Sequence, residues 1–187
     1  YEIAVNTFDA IIVISAPYNL YELKEIDEDK VALQQEALKP IKQKMMQRSS
    51  KEELKWVICN FPTESLANAA NMSLNEYDKF ISDACFLKKS NPIEQWESLS
   101  KDQSRIIAQL NRGETISFKS DIVDISFSIK NRLWINSDGK RNMPSGEVFT
   151  SPIEDSGEGT VTFLYPALLF GEVIKDLTLI VENGVVV

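Results

Sequence analysis

The first strong apolar run along the chain is Ala10-Ile11-Ile12-Val13-Ile14-Ser15, which ends at Ala16-Pro17. An unbroken β-branched run of this length predicts a strand buried on both faces. From 29 to 48 the period lengthens. Val31, Leu38, Ile41 and Met45 recur at spacings of three, four and seven, as on one side of a helix. Pro40 falls inside that pattern. It lacks a backbone N–H, and so predicts a kink or a break into two helices. Leu54-Lys55-Trp56-Val57-Ile58-Cys59 then returns to strand. Strand, helix and strand in this order make a βαβ unit, hence a parallel sheet with helices packed on it.

Three more helical stretches follow. Thr63 is placed to cap a short helix running to residue 70. Ser73-Leu74-Asn75-Glu76 has the capping-box spacing and opens a helix to about residue 87, with Leu74, Tyr77, Ile81, Ala84 and Cys85 on one face. Pro92 suits the first turn of a third helix carrying Trp96, Leu99, Ile106, Ile107 and Leu110, which stops at Arg112-Gly113. Beyond Gly113 the character changes to short strands at 115–118, 122–129, 133–135, 148–149, 160–164 and 177–181. Asp138-Gly139 and Asn183-Gly184 read as hairpin turns, because both dipeptides tolerate positive φ. The expected fold is therefore α+β or α/β. Residues 1–112 form a βαβ-type α/β and helical part, and residues 113–187 a mostly antiparallel, β-rich part. No long helix is expected between 115 and 135.

Both ends read as incomplete. The chain does not begin with Met, which implies processing or truncation. Val185-Val186-Val187 leaves its turn as an apolar strand without a partner, an edge that would invite aggregation.

Composition narrows the chemistry. The formal net charge of −8, with Lys and Arg scattered, argues against a nucleic-acid binder, which needs a basic stripe to displace counterions. No apolar run reaches the roughly 18 residues that would suggest a membrane span. The start carries no signal-peptide pattern. Cys59 and Cys85 are isolated and read as buried thiols in a reducing cytoplasm, with a disulfide as the alternative. Gly157-Glu158-Gly159 follows no strand into a helix, so it reads as a loop and not a phosphate cradle. The chain contains no histidine. That excludes a Ser-His-Asp or Cys-His pair and every His-based zinc motif built from this chain alone. Any metal bound by it must be held by carboxylates or by ligands from elsewhere.

The most unusual segment is Asn142-Met143-Pro144-Ser145-Gly146-Glu147-Val148-Phe149-Thr150-Ser151-Pro152. Two prolines bracket a strand of a few residues, and Glu147 stands at its start, directly after a glycine. Pro144 fixes the approach, Gly146 permits a tight turn, and Val148 and Phe149 anchor the strand. A carboxylate held this way loses little further freedom on binding a cation. The eleven residues resemble the motif of the aminopeptidase T and aminopeptidase S type of two-metal metallopeptidases. Asp121-Ile122-Val123-Asp124-Ile125 with Arg132-Leu133-Trp134 resembles that family's strands before the motif, and Glu154-Asp155 with Gly159-Thr160-Val161 the segment after it. Phe61-Pro62-Thr63, Asn71-Met72-Ser73 with Tyr77, and Pro92-Ile93 with Trp96 resemble its helical region. The resemblance covers about residues 55–187. The first fifty match only in being α/β.

The resemblance implies that Glu147 is a ligand of a paired divalent-metal site, zinc or cobalt. The remaining ligands (a second glutamate, two histidines and an aspartate) would lie beyond Val187. It implies peptide substrates with a free N-terminus and a homodimer. Two cations roughly 3.5–4 Å apart would generate a hydroxide, polarise the scissile carbonyl and anchor the α-amino group. One glutamate cannot hold such a pair, so the segment alone is expected to be inactive. Among the other acids, Asp121 and Asp124 flank a strand pattern and are weaker candidates for the site, Glu154, Asp155 and Glu158 are read as a solvated acidic loop, and Trp56, Trp96 and Trp134 as core. The rival reading is a non-catalytic binding or assembly module that reuses this fold.

Overall fold

The structure is a computed structural model describing residues 2–169 and 172–187. In chain order its elements are α1 (Glu2–Thr7), β1 (Ala10–Ser15), α2 (Glu28–Ser50), β2 (Lys55–Asn60), α3 (Glu64–Ala69), α4 (Leu74–Ala84) and α5 (Pro92–Leu110). Then come β3 (Thr115–Lys119), β4 (Val123–Ser128), β5 (Ile135–Ser137), β6 (Asn142–Met143), β7 (Glu147–Phe149), β8 (Glu158–Thr162), β9 (Ala167–Leu169), β10 (Glu172–Ile174), β11 (Thr178–Glu182) and β12 (Val185–Val186). The chain forms two compact units. One comprises Tyr1–Trp96 with Gly139–Ser145, the other Glu97–Asp138 with Gly146–Val187. Among the described residues, no helix follows α5.

In the first unit, β1 and β2 pair in parallel over their full length, from Ala10 opposite Lys55 to Ser15 opposite Asn60. Helix α2 is the crossover, as the βαβ pattern requires. Asp27 caps it by accepting the N–H groups of Asp29 and Lys30 at 3.0 and 3.4 Å. The half-buried side of α2 carries Val31, Leu38, Ile41 and Met45, the stripe its spacing specifies. The helix runs through Pro40 as one element. Pro40 and Glu36 are both exposed, so water can take the Glu36 carbonyl that loses its intrahelical N–H. Arg48, near the end of α2, ties the unit together. Its guanidinium donates to the carbonyls of Val5 (2.8 Å), Phe8 (2.9 Å) and Glu53 (3.0 Å).

Helices α3 and α4 begin where their caps place them. Thr63 accepts the Leu66 N–H at 3.3 Å. Ser73 and Glu76 form the reciprocal box, with Glu76 accepting the Ser73 N–H at 2.9 Å. The Ser73 hydroxyl, donating to the same carboxylate at 2.7 Å, and then the Ser73 N–H hold the Glu76 carboxyl below its ordinary range.

Three expectations about strands are revised. Strand β1 is an edge of the order β1-β2-β6, and Ile12 and Ile14 are 71% and 67% exposed, so one of its faces is open. Asp138-Gly139 does not close a hairpin. After it the chain enters β6, which pairs in parallel with β2, while β5 finds its antiparallel partner in β7. Val185–Val186 does not lack a partner: β12 pairs with β11 across the two-residue Asn183-Gly184 turn.

The second unit is built on a five-stranded sheet of order β12-β11-β8-β4-β3. Strand alternation sorts its side chains. Registers Ile116–Phe127, Phe118–Ile125 and Val123–Val161, with Leu179 opposite Val161, put these apolar residues on one face, Ile180 opposite Thr160 being an exception. Ile125 and Ile129 are its most deeply buried members. The other face presents Thr115, Ser117, Lys119, Asp124, Thr160 and Thr162, with Lys119 paired to Asp124 at 3.1 Å and Thr162 bonded to Thr178 at 2.9 Å. Gly159 lies opposite Ile125 with φ +131°, and a Cβ there would run into the Asp124 carbonyl and the Ile125 backbone. Gly159→Ala is therefore expected to cost at least about 2 kcal/mol in urea unfolding. Gly113→Ala, where an added Cβ meets only ordinary contacts from 3.5 Å outward, should stay within about 0.5 kcal/mol.

Candidate functional site

Strand β7 is three residues long, too short to place itself by its own ladder. It pairs with β5, Ser137 opposite Glu147, Asn136 opposite Val148 and Ile135 opposite Phe149. Gly146 enters it with φ +116°, and its N–H donates to the Ser137 carbonyl at 3.0 Å. The turn that the sequence assigns to Gly146 is thus a left-handed one that favours glycine. The Glu147 side chain is exposed, and no hydrogen bond or ion pair among the described residues engages its carboxylate. Val148 and Phe149 line an apolar cavity of about 420 Å³ together with Ile116, Phe118, Phe127 and Trp134. Val148 is half-buried, whereas Phe149 is 46% exposed.

A polar cluster on α5 holds this strand from the inside. Gln103 is 4% exposed, and its Nε2 donates to the Glu147 carbonyl at 2.5 Å and to the Ser137 carbonyl at 3.4 Å. Asn136 donates through Nδ2 to the Ser100 carbonyl (2.9 Å) and to Ser104 Oγ (3.0 Å), and Ser100 Oγ donates to Asp138 at 2.8 Å. Gln103 Oε1 and Asn136 Oδ1 are buried without a hydrogen-bond partner. Sequence reasoning passed over Gln103. The available signal was its position, one helical turn from both Leu99 and Ile107, where the apolar stripe calls for a hydrophobic residue.

The other acids are placed differently. Asp124 pairs with Lys119 at 3.1 Å. Glu154 accepts from Arg132 at 2.5 Å, and its carboxyl is held below the ordinary range first by its own backbone N–H and then by Arg132. Glu158 accepts the Asn183 N–H at 2.7 Å. Asp121 and Asp155 are exposed in turns. Trp56 lies under the Arg141 guanidinium at 5.4 Å, and Trp96 meets Phe86 edge-on at 5.1 Å while its Nε1 donates to the Cys85 carbonyl. Both cysteines are free. Burial, with Cys59 nearby as the lesser cause, pushes the Cys85 thiol up.

The fold, a parallel βαβ unit followed by an antiparallel β-rich region, is similar to that of part of wild-type AmpT from Thermus thermophilus. The match has a TM-score of 0.75 at 24% identity and covers 95% of this chain and 47% of that one. Aminopeptidase AmpS of Bacillus subtilis is 25% identical over 207 residues, covering 100% of this chain and 49% of that protein. The pattern of the thermophilic metalloprotease family, M29, matches residues 1–187, and the chain belongs to that family. The likeness therefore reaches through the first fifty residues, which the motifs alone did not cover. The chain spans about half the length of these two relatives.

A metalloprotease family implies a metal. Glu147 offers an unengaged anionic donor on a constrained backbone. Among the described residues, however, no three His, Cys, Asp or Glu side chains come together as a metal-holding group, so a full ligand set is not found there. Because no described residue bonds to or pairs with the Glu147 carboxylate, Glu147→Gln in this chain should shift unfolding by no more than about 0.5 kcal/mol. Thermal and urea denaturation measured side by side check this, and a larger loss would reveal a structural role.

Proposed function

We propose that this chain is part of a metal-dependent aminopeptidase, to which it contributes Glu147 as one anionic metal ligand. The reaction is hydrolytic removal of the N-terminal residue from peptides with a free N-terminus. The observation that carries this reading is the placement of Glu147: exposed, unengaged, and at the start of a strand pinned on two sides, inside the one motif that resembles a metallopeptidase site. The family of the chain and the name of its Bacillus subtilis relative support it.

Two divalent cations, zinc or cobalt, a cytoplasmic location and a homodimer belong to the same proposal. The β-rich part after residue 113 is the portion that presents the ligand. Segments outside the chain supply the rest of the donor set, in keeping with the absence of histidine here.

Two measurements test the reading. In the full-length enzyme, Glu147→Gln keeps the shape of the side chain but replaces an anionic oxygen donor with a neutral amide. Metal content and turnover should both fall at least tenfold, with circular dichroism unchanged. An enzyme that kept both would remove Glu147 from the site. The present chain alone, assayed on aminoacyl p-nitroanilides with added cobalt or zinc, should show no turnover. A rate of about 1 per second or more, ordinary for an intact enzyme, would contradict the assignment of the other ligands to segments outside it.

A further inference from the structure

We propose that Gln103 is a positioning residue for Glu147, setting where its carboxylate stands by holding its backbone; this rests on the reading of Glu147 as a metal ligand. The inward stripe of α5 runs Trp96, Leu99, Gln103, Ile107, Leu110, and Gln103 is its one buried amide. A leucine there would fill similar volume with no polar group to desolvate. What the amide adds is its N–H donors, and they go to two carbonyls of one register pair, Ser137 and Glu147.

The amide's orientation follows from its acceptors. Turned over, its oxygen would face two carbonyl oxygens and repel both. The result is a two-sided grip on the strand start. From β5, the Ser137 carbonyl takes the Gly146 N–H at 3.0 Å. From α5, Gln103 takes the Glu147 carbonyl at 2.5 Å. Only the side-chain torsions of Glu147 remain free. Metal ligation tolerates displacements of only about 0.5 Å in a donor. Losing a group that orients a ligand typically weakens metal binding about 10–100-fold.

The test uses full-length enzyme and cobalt(II) as the probe, read by calorimetric titration and by the visible absorption of the bound ion. Gln103→Met keeps the bulk and removes the donors. The expected result is a cobalt dissociation constant raised about 10–100-fold, with an altered cobalt spectrum in a folded protein. Arg105→Ala, on the exposed side of the same helix where Arg105 pairs with Asp102, should change affinity less than about twofold. Ile125→Val, a buried truncation elsewhere in the same unit, reports what destabilisation alone does.

Wild-type affinity and spectrum in Gln103→Met would overturn the proposal. So would equal losses in Gln103→Met and Ile125→Val, which would make the role structural only. If Glu147→Gln also bound cobalt like wild type, the ligand reading would fall and this proposal with it. Failure of Gln103 alone is recognised by a Glu147→Gln variant that does lose cobalt. Should Gln103→Met not fold, Gln103→Asn, which draws the N–H back by about 1.5 Å, carries the same test with the same outcomes.

Discussion

The carbonyl oxygens of Ser137 and Glu147 share one buried donor, the Gln103 amide. The arrangement of the second unit around the motif follows from that bond. Strand β7 has three residues and one ladder neighbour, β5, itself three residues long. A pair of such strands is marginal in water, and a one-residue slip would turn Glu147 inward and Val148 outward. The amide forbids the slip, because it needs both carbonyls at once. It also explains how a glutamine sits among Leu99, Ile107 and Leu110: an unbonded amide there would be costly, and the two donated bonds offset part of that cost while Oε1 stays unpartnered.

The same bond separates two roles within one residue. The backbone of Glu147 belongs to the interior, accepting from a buried donor, while its side chain belongs to solvent. Its neighbours on β7 complete the division by lining the apolar cavity with Phe118 and Trp134. Rigidity is thus supplied by groups that touch only the main chain. Among the described residues the carboxylate has no hydrogen-bond or ion-pair partner.

Much of this was legible in the residues, for a physical reason. Caps, turns and alternation are local codes. Ser73 and Glu76 sit three apart, Asn183-Gly184 closes β11 on β12, and Leu179 and Val181 alternate with Thr178 and Ile180, so neighbours in sequence specify the geometry. Where pairing is long-range the pattern falls silent. Asn142–Met143 is a strand because Ile58 and Cys59 lie beside it, and nothing within its two residues says so. Asp138-Gly139 misleads for the same reason. Its turn chemistry is real, with Gly139 at φ +89°, but the strands on either side choose other partners. An apolar run such as that of β1 shows that both faces disfavour water, not that both are covered. Ile12 and Ile14 remain exposed. For Gln103 the failure was different: the helical period located the buried position, but the meaning of a polar residue there depends on two carbonyls more than thirty residues away in the chain.

Comparison among the acids shows why Glu147 stands apart. A ligand needs two properties that work against each other: a fixed position and an unspent charge. In Asp124, Glu154 and Glu158 the carboxylate is already spent on a protein group: Lys119, Arg132 and the Asn183 N–H respectively. A cation would have to displace that partner. Asp121 and Asp155 have the opposite character, exposed in turns with no described residue bonded to their carboxylates. A cation would have to order them at an entropic cost. In Glu147 the two properties do not compete, because its position is set through its carbonyl and the neighbouring Gly146 N–H, and its carboxylate takes no part in holding it. That separation is what a strand start can offer and a side-chain salt bridge cannot. It is the physical basis for proposing Glu147, and not any of these five acids, as a metal ligand.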